Sequence, residues 1–560
     1  MLNIITTILL WPFFIHMIHT TLFDFATDEM LFVLLAKERA KYRKRNSTAK
    51  SHKLDKSCDI NSLTNRQKLS RMMPPRSKWV RPKKRKNLGK GALALRKLTE
   101  KALLLTYRRD KELHLQFDYQ QEFQAFASRI RARIQSADLS FNSPVLMPMY
   151  KDQAVVCGKT IVTCRPLTVY MDLEDKIILG LASRYLTKYL DKYLHPNILS
   201  YRKARLLDDG KFRPSDFNDG IRHIRKYLDE HYSEDIYAAD CDIKKFYDVF
   251  DHQVIRDCFD RILDRAQMSS EAQAQVRQVL EAYLASYNFY DDALQVAKTE
   301  PTVFSKIQSK LHDREGQNEY VLGWVDELRQ QPVEAQRQRG VSQGGALSLV
   351  IANVVLNDVD QPIVSTPDPD RLFIRYCDDM ILLHTDRDKC QALMDSYTRS
   401  LVAHRLYYHD FKPYTDRKSF WHVKSHQPYL WGDGSVGSSN RYIGFLGYEL
   451  SRDGRMRLRK SNIESLKERF SHQEIIHRRH LESYTPAEAE ALTKKAIERI
   501  LDSPSVYTAF NQQQFQHGSQ HKYLLQLRDK CVNRLKLSSC YGRKSTGMST
   551  VYSGKSSNDT

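Results

Sequence analysis

The most informative hydrophobic pattern in the chain is an interrupted one. Phe373-Ile374-Arg375-Tyr376 runs into Cys377-Asp378-Asp379, and Met380-Ile381-Leu382-Leu383 resumes the apolar run. Two mostly apolar segments of similar length around adjacent carboxylates predict a β-hairpin with the acids at its tight turn. The flanks need a core, and an unpaired carboxylate is expensive to bury with them. An acid pair held in this way marks a cation site. The plainer reading is a solvated Asp-Asp turn between surface strands, since Asp favours turns.

Two more stretches bear on that choice. Ile236-Tyr237-Ala238-Ala239 predicts a strand that delivers Asp240 and Asp242, with Phe246-Tyr247-Asp248 soon after. Gly340-Val341-Ser342-Gln343-Gly344-Gly345-Ala346-Leu347-Ser348 predicts a glycine-rich loop opening an apolar helix that contains Asn353. Glycines there let the backbone and a glutamine approach a flat ligand closely. Asp240 and Asp242 share strand parity, so both are candidates for one face. Asp248 lies beyond the strand end and is expected to cap or pair locally.

Helical spacing is predicted for Lys111–Arg133, for Met171–Leu194, around Ile221, Ile224 and Leu228, and for Glu271–Tyr287. Ser461-Asn462-Ile463-Glu464 and Thr485-Pro486-Ala487-Glu488 fit capping boxes, each opening an amphipathic segment. Between Glu38 and Arg109, Lys and Arg dominate, and Pro74, Pro75 and Trp79 predict an arm rather than a long helix. Residues 538–560 are poor in large apolar side chains and read as a disordered tail.

Composition narrows the partner. The chain has 560 residues, a formal charge of +21 and 41% hydrophobic residues, which suits several subdomains with a sizeable core. Nucleic acid is the natural counterpart, because each phosphate neutralised by Lys or Arg releases a counterion. Nine cysteines without a Cys-x-x-Cys pair argue against a disulfide framework or a zinc ribbon and suit a reducing, cytoplasmic setting. From Met1 to Phe23 no side chain is formally charged. That stretch could associate with a membrane, form a buried helix, or precede a true start at Met30.

The Asp strand, Gln-Gly loop and Tyr-x-Asp-Asp hairpin, in that order, resemble the palm of a reverse transcriptase. The likeness covers roughly Val155 to Gly454. It is nearest in look to bacterial group II intron-like and "unknown group" enzymes associated with antiphage defence. It implies an α+β right-hand polymerase fold with fingers, a palm built on a small antiparallel sheet, a helical thumb and a basic N-terminal extension. The implied divisions are 1–110 for the apolar start and basic extension, 111–235 for fingers and 236–450 for palm, with a helical insertion at about 253–338. Thumb and tail follow at 451–537 and 538–560.

The resemblance implies RNA-directed DNA synthesis from deoxynucleoside triphosphates. Asp242, Asp378, Asp379 and the Ile243 backbone would hold two Mg²⁺ ions, with Mn²⁺ a possible substitute. Arg165 and Lys159 in the fingers would embrace the triphosphate, and Tyr247 would act as a steric gate against a 2′-hydroxyl. Gln343 and Gly344 would contact template and nucleotide. Lys412, with Lys418 as rival, would be a general acid, and Phe445, Leu446 and Gly447 would form the primer grip. Cys377 replaces the usual alanine. Ser342 and Leu349 replace the usual prolines of the glycine loop, which departs from the intron maturase pattern. Implied partners are an RNA template, of which a dedicated noncoding RNA is one form, a DNA product, deoxynucleoside triphosphates, and a protein partner or a second copy. A splicing maturase, and untemplated or protein-primed synthesis, remain the alternatives.

Overall fold

The computed structural model describes residues 20–42, 63–82, 92–207, 212–413 and 417–469, apart from 312, 314–315, 324, 433–438 and 461, with a few positions after 469. The apolar run at Leu2–Phe14, Ser461 and the 538–560 tail therefore lie outside the described residues. Among the described residues no helix is long and apolar enough to cross a membrane. The chain divides into two compact units, Met1–Ile224 with Ala239–Pro428, and Arg225–Ala238 with Tyr429–Thr560.

In the first unit the N-terminal portion is more helical than its basic composition suggests. Helix α1 (Asp28–Lys41) starts where Thr27 Oγ1 accepts the Met30 N–H, with acids in its first turn and Arg39 and Lys41 in its last. Residues before Met30 belong to the fold: Leu22 is buried, and the Tyr185 hydroxyl donates to the Thr20 carbonyl at 2.6 Å. Helix α2 (Ala92–Glu112) occupies the end of the stretch expected to be an arm. It is separated from α3 (Asp118–Gln135) by a turn at left-handed His114, so the expected single helix over Lys111–Arg133 is two. The periodicity missed the break because apolar positions on both sides feed one core: Tyr107 and Phe123 both pack against Phe32.

Strands β1 (Met149–Val156) and β2 (Lys159–Arg165) form an antiparallel hairpin whose register shifts between Tyr150 and Asp152. Helix α4 (Leu173–Leu190) follows, capped by Asp172. Helix α5 (Phe217–Glu230) leads to β3 (Tyr237–Cys241), and α6 (His252–Arg265) and α7 (Ser270–Ala285) come next. Strand β4 (Glu319–Val321) then adds in parallel to β2, pairing Ile161 with Glu319 and Thr163 with Val321. The stretch expected as a helical palm insertion thus also contributes a strand to the hairpin's sheet. One apolar cluster seals the join, with Val162 and Cys164 against Phe289, Phe304, Ile307 and Leu322.

Helix α8 (Ser348–Val364) is buried along most of its length and backs the hairpin of β5 (Arg371–Tyr376) and β6 (Asp379–His384). Register runs from Asp379 opposite Tyr376 to His384 opposite Arg371, as the interrupted apolar pattern requires. Helix α9 (Arg387–Ala403) packs against α8, and β7 (His426–Trp431) lies beside β3, which lies beside β6.

The second unit contains a three-stranded meander, β8 (Tyr442–Phe445), β9 (Tyr448–Ser451) and β10 (Met456–Leu458). Further along, Thr485 and Glu488 exchange the hydrogen bonds of a capping box.

Candidate active site

The site is built where β3 ends and the β5–β6 hairpin turns. Asp242 follows β3 directly. Its N–H donates to Ser425 Oγ at 3.1 Å and its carbonyl accepts the His409 N–H at 2.9 Å. Ile243 bridges to Tyr408, but the bonds used are the Asp242 carbonyl and the Lys244 N–H, leaving the Ile243 carbonyl outside the pairing. Desolvation by the surrounding protein pushes the Asp242 carboxyl up to about 6; Lys424 opposes the shift and Asp378 adds to it. The two carboxylates, 136 positions apart in sequence, therefore repel one another across the site.

Asp378 sits in the two-residue turn with Cys377, and Asp379 begins β6. Cys377 is left-handed, at φ 58°, a conformation costly for a side-chain-bearing residue and common where a site over-determines its backbone. Three contacts hold the turn. The Cys377 N–H donates to Ser200 Oγ at 2.9 Å, and the Arg375 guanidinium donates to the Cys377 carbonyl at 3.0 Å. Asn353 Nδ2 donates to the Ser200 carbonyl at 2.9 Å, so the helix asparagine acts on the turn through Ser200. Beneath it, Arg375 and Asp360 form a fully buried ion pair at 2.8 Å. Burial raises the Asp378 carboxyl, and Arg165 and Arg375 pull it back.

Asp240, the rival to Asp242, is engaged elsewhere. Both its oxygens lie 2.9 Å from His426 Nδ1, and His426 Nε2 faces the Phe420 carbonyl at 3.0 Å. Asp248 does not cap or pair locally. It is buried and accepts a 2.6 Å hydrogen bond from Gln343 Nε2, 95 residues away in sequence. The glycine loop is fastened from its other side by the Gln343 carbonyl, which accepts the Thr168 N–H at 3.0 Å. At Gly344, φ is 117° and a Cβ would stand 3.0 Å from the Thr168 carbonyl, so glycine is required. Tyr247 lies close enough to Cys377 and Asp378 for both to raise its phenol, after burial, which is the larger cause.

The fingers residues divide. Arg165 is exposed at the end of β2 and acts electrostatically on Asp378. Lys159 stands at the opposite end of that strand, beside the Cys157-Gly158 turn, roughly 20 Å away at the usual rise per residue. Lys151, left unpaired at the irregularity between Tyr150 and Asp152, lies in the site instead. Burial and the cations Lys424 and Arg165 lower its ammonium, while Asp242 and Asp248 raise it. Lys424 Nζ is 4.0 Å from Asp242 Oδ2, and His409 Nε2 is 3.9 Å from the same oxygen. Burial and Lys424 push the His409 imidazole down to about 4, so it is neutral near pH 7. Lys412 is exposed, and the Lys418 side chain lies outside the described residues.

Sequence reading missed Lys151, Lys424 and His409. Regular pairing counted back from the Cys157-Gly158 turn places Lys151 opposite Cys164, one residue short of Arg165, and nothing local singles out Lys424 or His409. In the second unit, Leu446 (φ 51°) and Gly447 (φ 83°) make the tight β8–β9 turn after buried Phe445. Asn462 Nδ2 donates to the Gly447 carbonyl at 2.9 Å.

The donor set suits a hard divalent cation. It consists of carboxylates and the Ile243 carbonyl, and Asp378 raises the Asp242 carboxyl while Lys424 stands 4.0 Å from it.

A family model described as reverse transcriptase (RNA-dependent DNA polymerase) matches residues 158–449, more than half of the chain. The chain belongs to the reverse transcriptase family. It is an RNA-directed DNA polymerase by that membership, with the mixed helix-and-sheet fold the family carries. No match is found among curated proteins. Among solved structures, this reverse transcriptase is similar to apo telomerase from Candida tropicalis, at 12% identity and a TM-score of 0.32. The match covers 80% of this chain and 74% of that one. It is also similar to telomerase from Candida albicans in complex with a TWJ fragment of telomeric RNA, at 12% identity and a TM-score of 0.30, covering 81% and 73%.

Proposed function

We propose that this reverse transcriptase extends a DNA primer along a dedicated RNA template, with Asp242 and Asp378 as its metal-holding pair and Asp379 and the Ile243 carbonyl beside them. The observation that carries the reading is the mutual repulsion of Asp242 and Asp378 within a ring of cations, Lys151, Arg165 and Lys424. Like charges held together, with the Lys424 ammonium 4.0 Å from Asp242 Oδ2, suit metal ions and a polyanionic substrate.

Bound Mg²⁺, for which Mn²⁺ can substitute, would lower the pKa of the primer 3′-hydroxyl and stabilise the pyrophosphate leaving group. Arg165 and Lys151 hold the triphosphate, and Tyr247 excludes a 2′-hydroxyl. Gln343, fixed by Asp248, and the bare backbone of Gly344 receive the flat face of the nucleotide or template. Lys424 beside Asp242 joins Lys412 as a candidate proton donor to the leaving group. The turn at Phe445, Leu446 and Gly447 keeps its proposed role of primer contact within the second unit. Ser342 and Leu349, in place of prolines, support a polymerase devoted to its own RNA in antiphage defence over a splicing maturase.

The test is to purify the protein from its native host context, sequence bound RNA and new DNA, and compare wild type with Asp378→Ala plus Asp379→Ala. DNA complementary to one co-purifying RNA, made only by wild type, is the expected result. DNA without a complementary RNA would replace the proposal with untemplated synthesis. Neither protein making DNA while both retain the same RNA would favour the maturase.

A further inference from the structure

Away from the acidic pair, three helices bring together one sulfur, one carboxylate and one imidazole. Cys258 comes from α6, Asp358 from α8, and His404 is the residue that ends α9. One ligand atom from each lies within 4.8 Å of the others. The polymerase site uses none of them. We propose that Cys258, Asp358 and His404 form a Zn²⁺ site that clips α6, α8 and α9 together.

Two features of the cluster point to a cation. The first is the histidine. His404 Nδ1 lies 2.7 Å from the Ser400 carbonyl, and a carbonyl can only accept, so Nδ1 carries the proton. The neutral ring then has its lone pair on Nε2. A metal-binding histidine is oriented in this way, with its other nitrogen donating to a backbone carbonyl. The second is what stands among the ligands. The Arg261 guanidinium donates to Asp358 Oδ2 at 2.7 Å and to Cys258 Sγ at 3.2 Å. A positive group thus already bridges two of the three donors, and it comes from a side chain that is 55% exposed.

The donor chemistry selects the metal. Sulfur, nitrogen and a single carboxylate oxygen suit borderline-soft Zn²⁺ and not Mg²⁺, which prefers oxygen alone. Zinc–ligand bonds of about 2.0–2.3 Å place tetrahedral donors within about 4 Å of one another, a contraction that side-chain rotation can supply. Burial pushes the Cys258 thiol up to about 12, and a bound zinc ion would take its proton's place. Zinc binding therefore displaces Arg261 and releases one proton to solvent, with no redox change.

The site is structural in consequence. Asp358 is two residues before Asp360, the partner of Arg375 under the catalytic turn. Fixing this part of α8 steadies the support of that turn without touching substrate.

The full-length protein, stripped with a chelator and returned to excess Mg²⁺ so that the acidic pair is filled, is titrated with Co²⁺ and then Zn²⁺. Expected are one tightly bound Zn²⁺ per chain, a sulfur-to-metal charge-transfer band in the Co²⁺ form, and a rise in thermal midpoint on loading. Cys258→Ser should abolish the band, and His404→Gln should weaken Zn²⁺ binding by roughly 100-fold or more. Arg261→Ala, a change at an exposed side chain, should tighten binding several-fold by removing the competing cation. A wild type without the band, a band that survives Cys258→Ser, or equal Zn²⁺ affinity in all four proteins would overturn the site.

Discussion

Gln343 Nε2 donates to Asp248 Oδ1 at 2.6 Å, joining the glycine loop to the segment that carries the proposed steric gate. Asp248 is the buried partner, and its carboxyl has been pushed from an ordinary 3.8 up to about 6, by burial first, with Gln343, Lys245 and Lys151 opposing. Between about pH 4 and pH 6 the folded protein therefore holds a proton that the unfolded chain has released. Stability contributed by that proton is present below the window and lost as pH rises through it. Asp248→Asn keeps an acceptor for Gln343 but has nothing to ionise. Its thermal midpoint relative to wild type should climb from pH 4 to pH 6 and then level off. A constant difference across a pH series would show that the carboxyl does not titrate there.

The cation pair in the fingers makes a sharper contrast between variants. Lys151 stands among Arg165, Lys424, Asp242 and Asp248, whereas Lys159 lies at the far end of β2. Lys151→Met should raise KM for the incoming nucleotide about 10- to 100-fold, the usual worth of a charge-assisted hydrogen bond. Lys159→Met should leave it within about twofold. Steady-state kinetics on a primed template would decide, and the opposite ranking would return the triphosphate contact to Lys159.

Tyr247 reaches the neighbourhood of Cys377 and Asp378 while its own carbonyl accepts the Val341 N–H at 2.8 Å, so its backbone is fixed by the glycine loop. Tyr247→Ala would open space beside the sugar without disturbing that bond. The ratio of ribonucleotide to deoxynucleotide incorporation should rise by roughly 10- to 100-fold. An unchanged ratio, with normal incorporation of deoxynucleotides, would assign Tyr247 to packing alone.

What was legible in the sequence is what local pattern controls. The β5–β6 hairpin followed from two apolar runs around a polar turn, and the glycine loop from a cluster that only a close backbone approach explains. Lys424 and Asp248 were not legible in their observed roles, because each depends on a crossing between distant segments. Asp248 looked like a local cap because its partner is 95 residues away. Lys151 was hidden by the irregularity between Tyr150 and Asp152, which leaves it out of the regular pairing and within electrostatic reach of Arg165. The break at His114 was invisible for a different reason: helical periodicity continues across it while the backbone does not.

Arg375 and Asp360 carry the last prediction. Both side chains are fully buried, and Arg375 also donates to the carbonyl of left-handed Cys377. Removing only the carboxylate, as in Asp360→Ala, strands a guanidinium in the core. Loss of one partner of a buried pair typically costs about 3–5 kcal/mol. Replacing both, as in Asp360→Leu with Arg375→Met, removes the stranded charge and should recover most of the thermal midpoint. It does not restore the bond to Cys377. The double variant should therefore fold nearly as stably as wild type yet lose kcat, with KM for nucleotide little changed, because the turn holding Asp378 has lost one of its three ties. Ser200→Ala, which removes a different tie at 2.9 Å, should lower kcat in the same way. If the double variant is both stable and fully active, the ion pair supports the fold and not the catalytic turn.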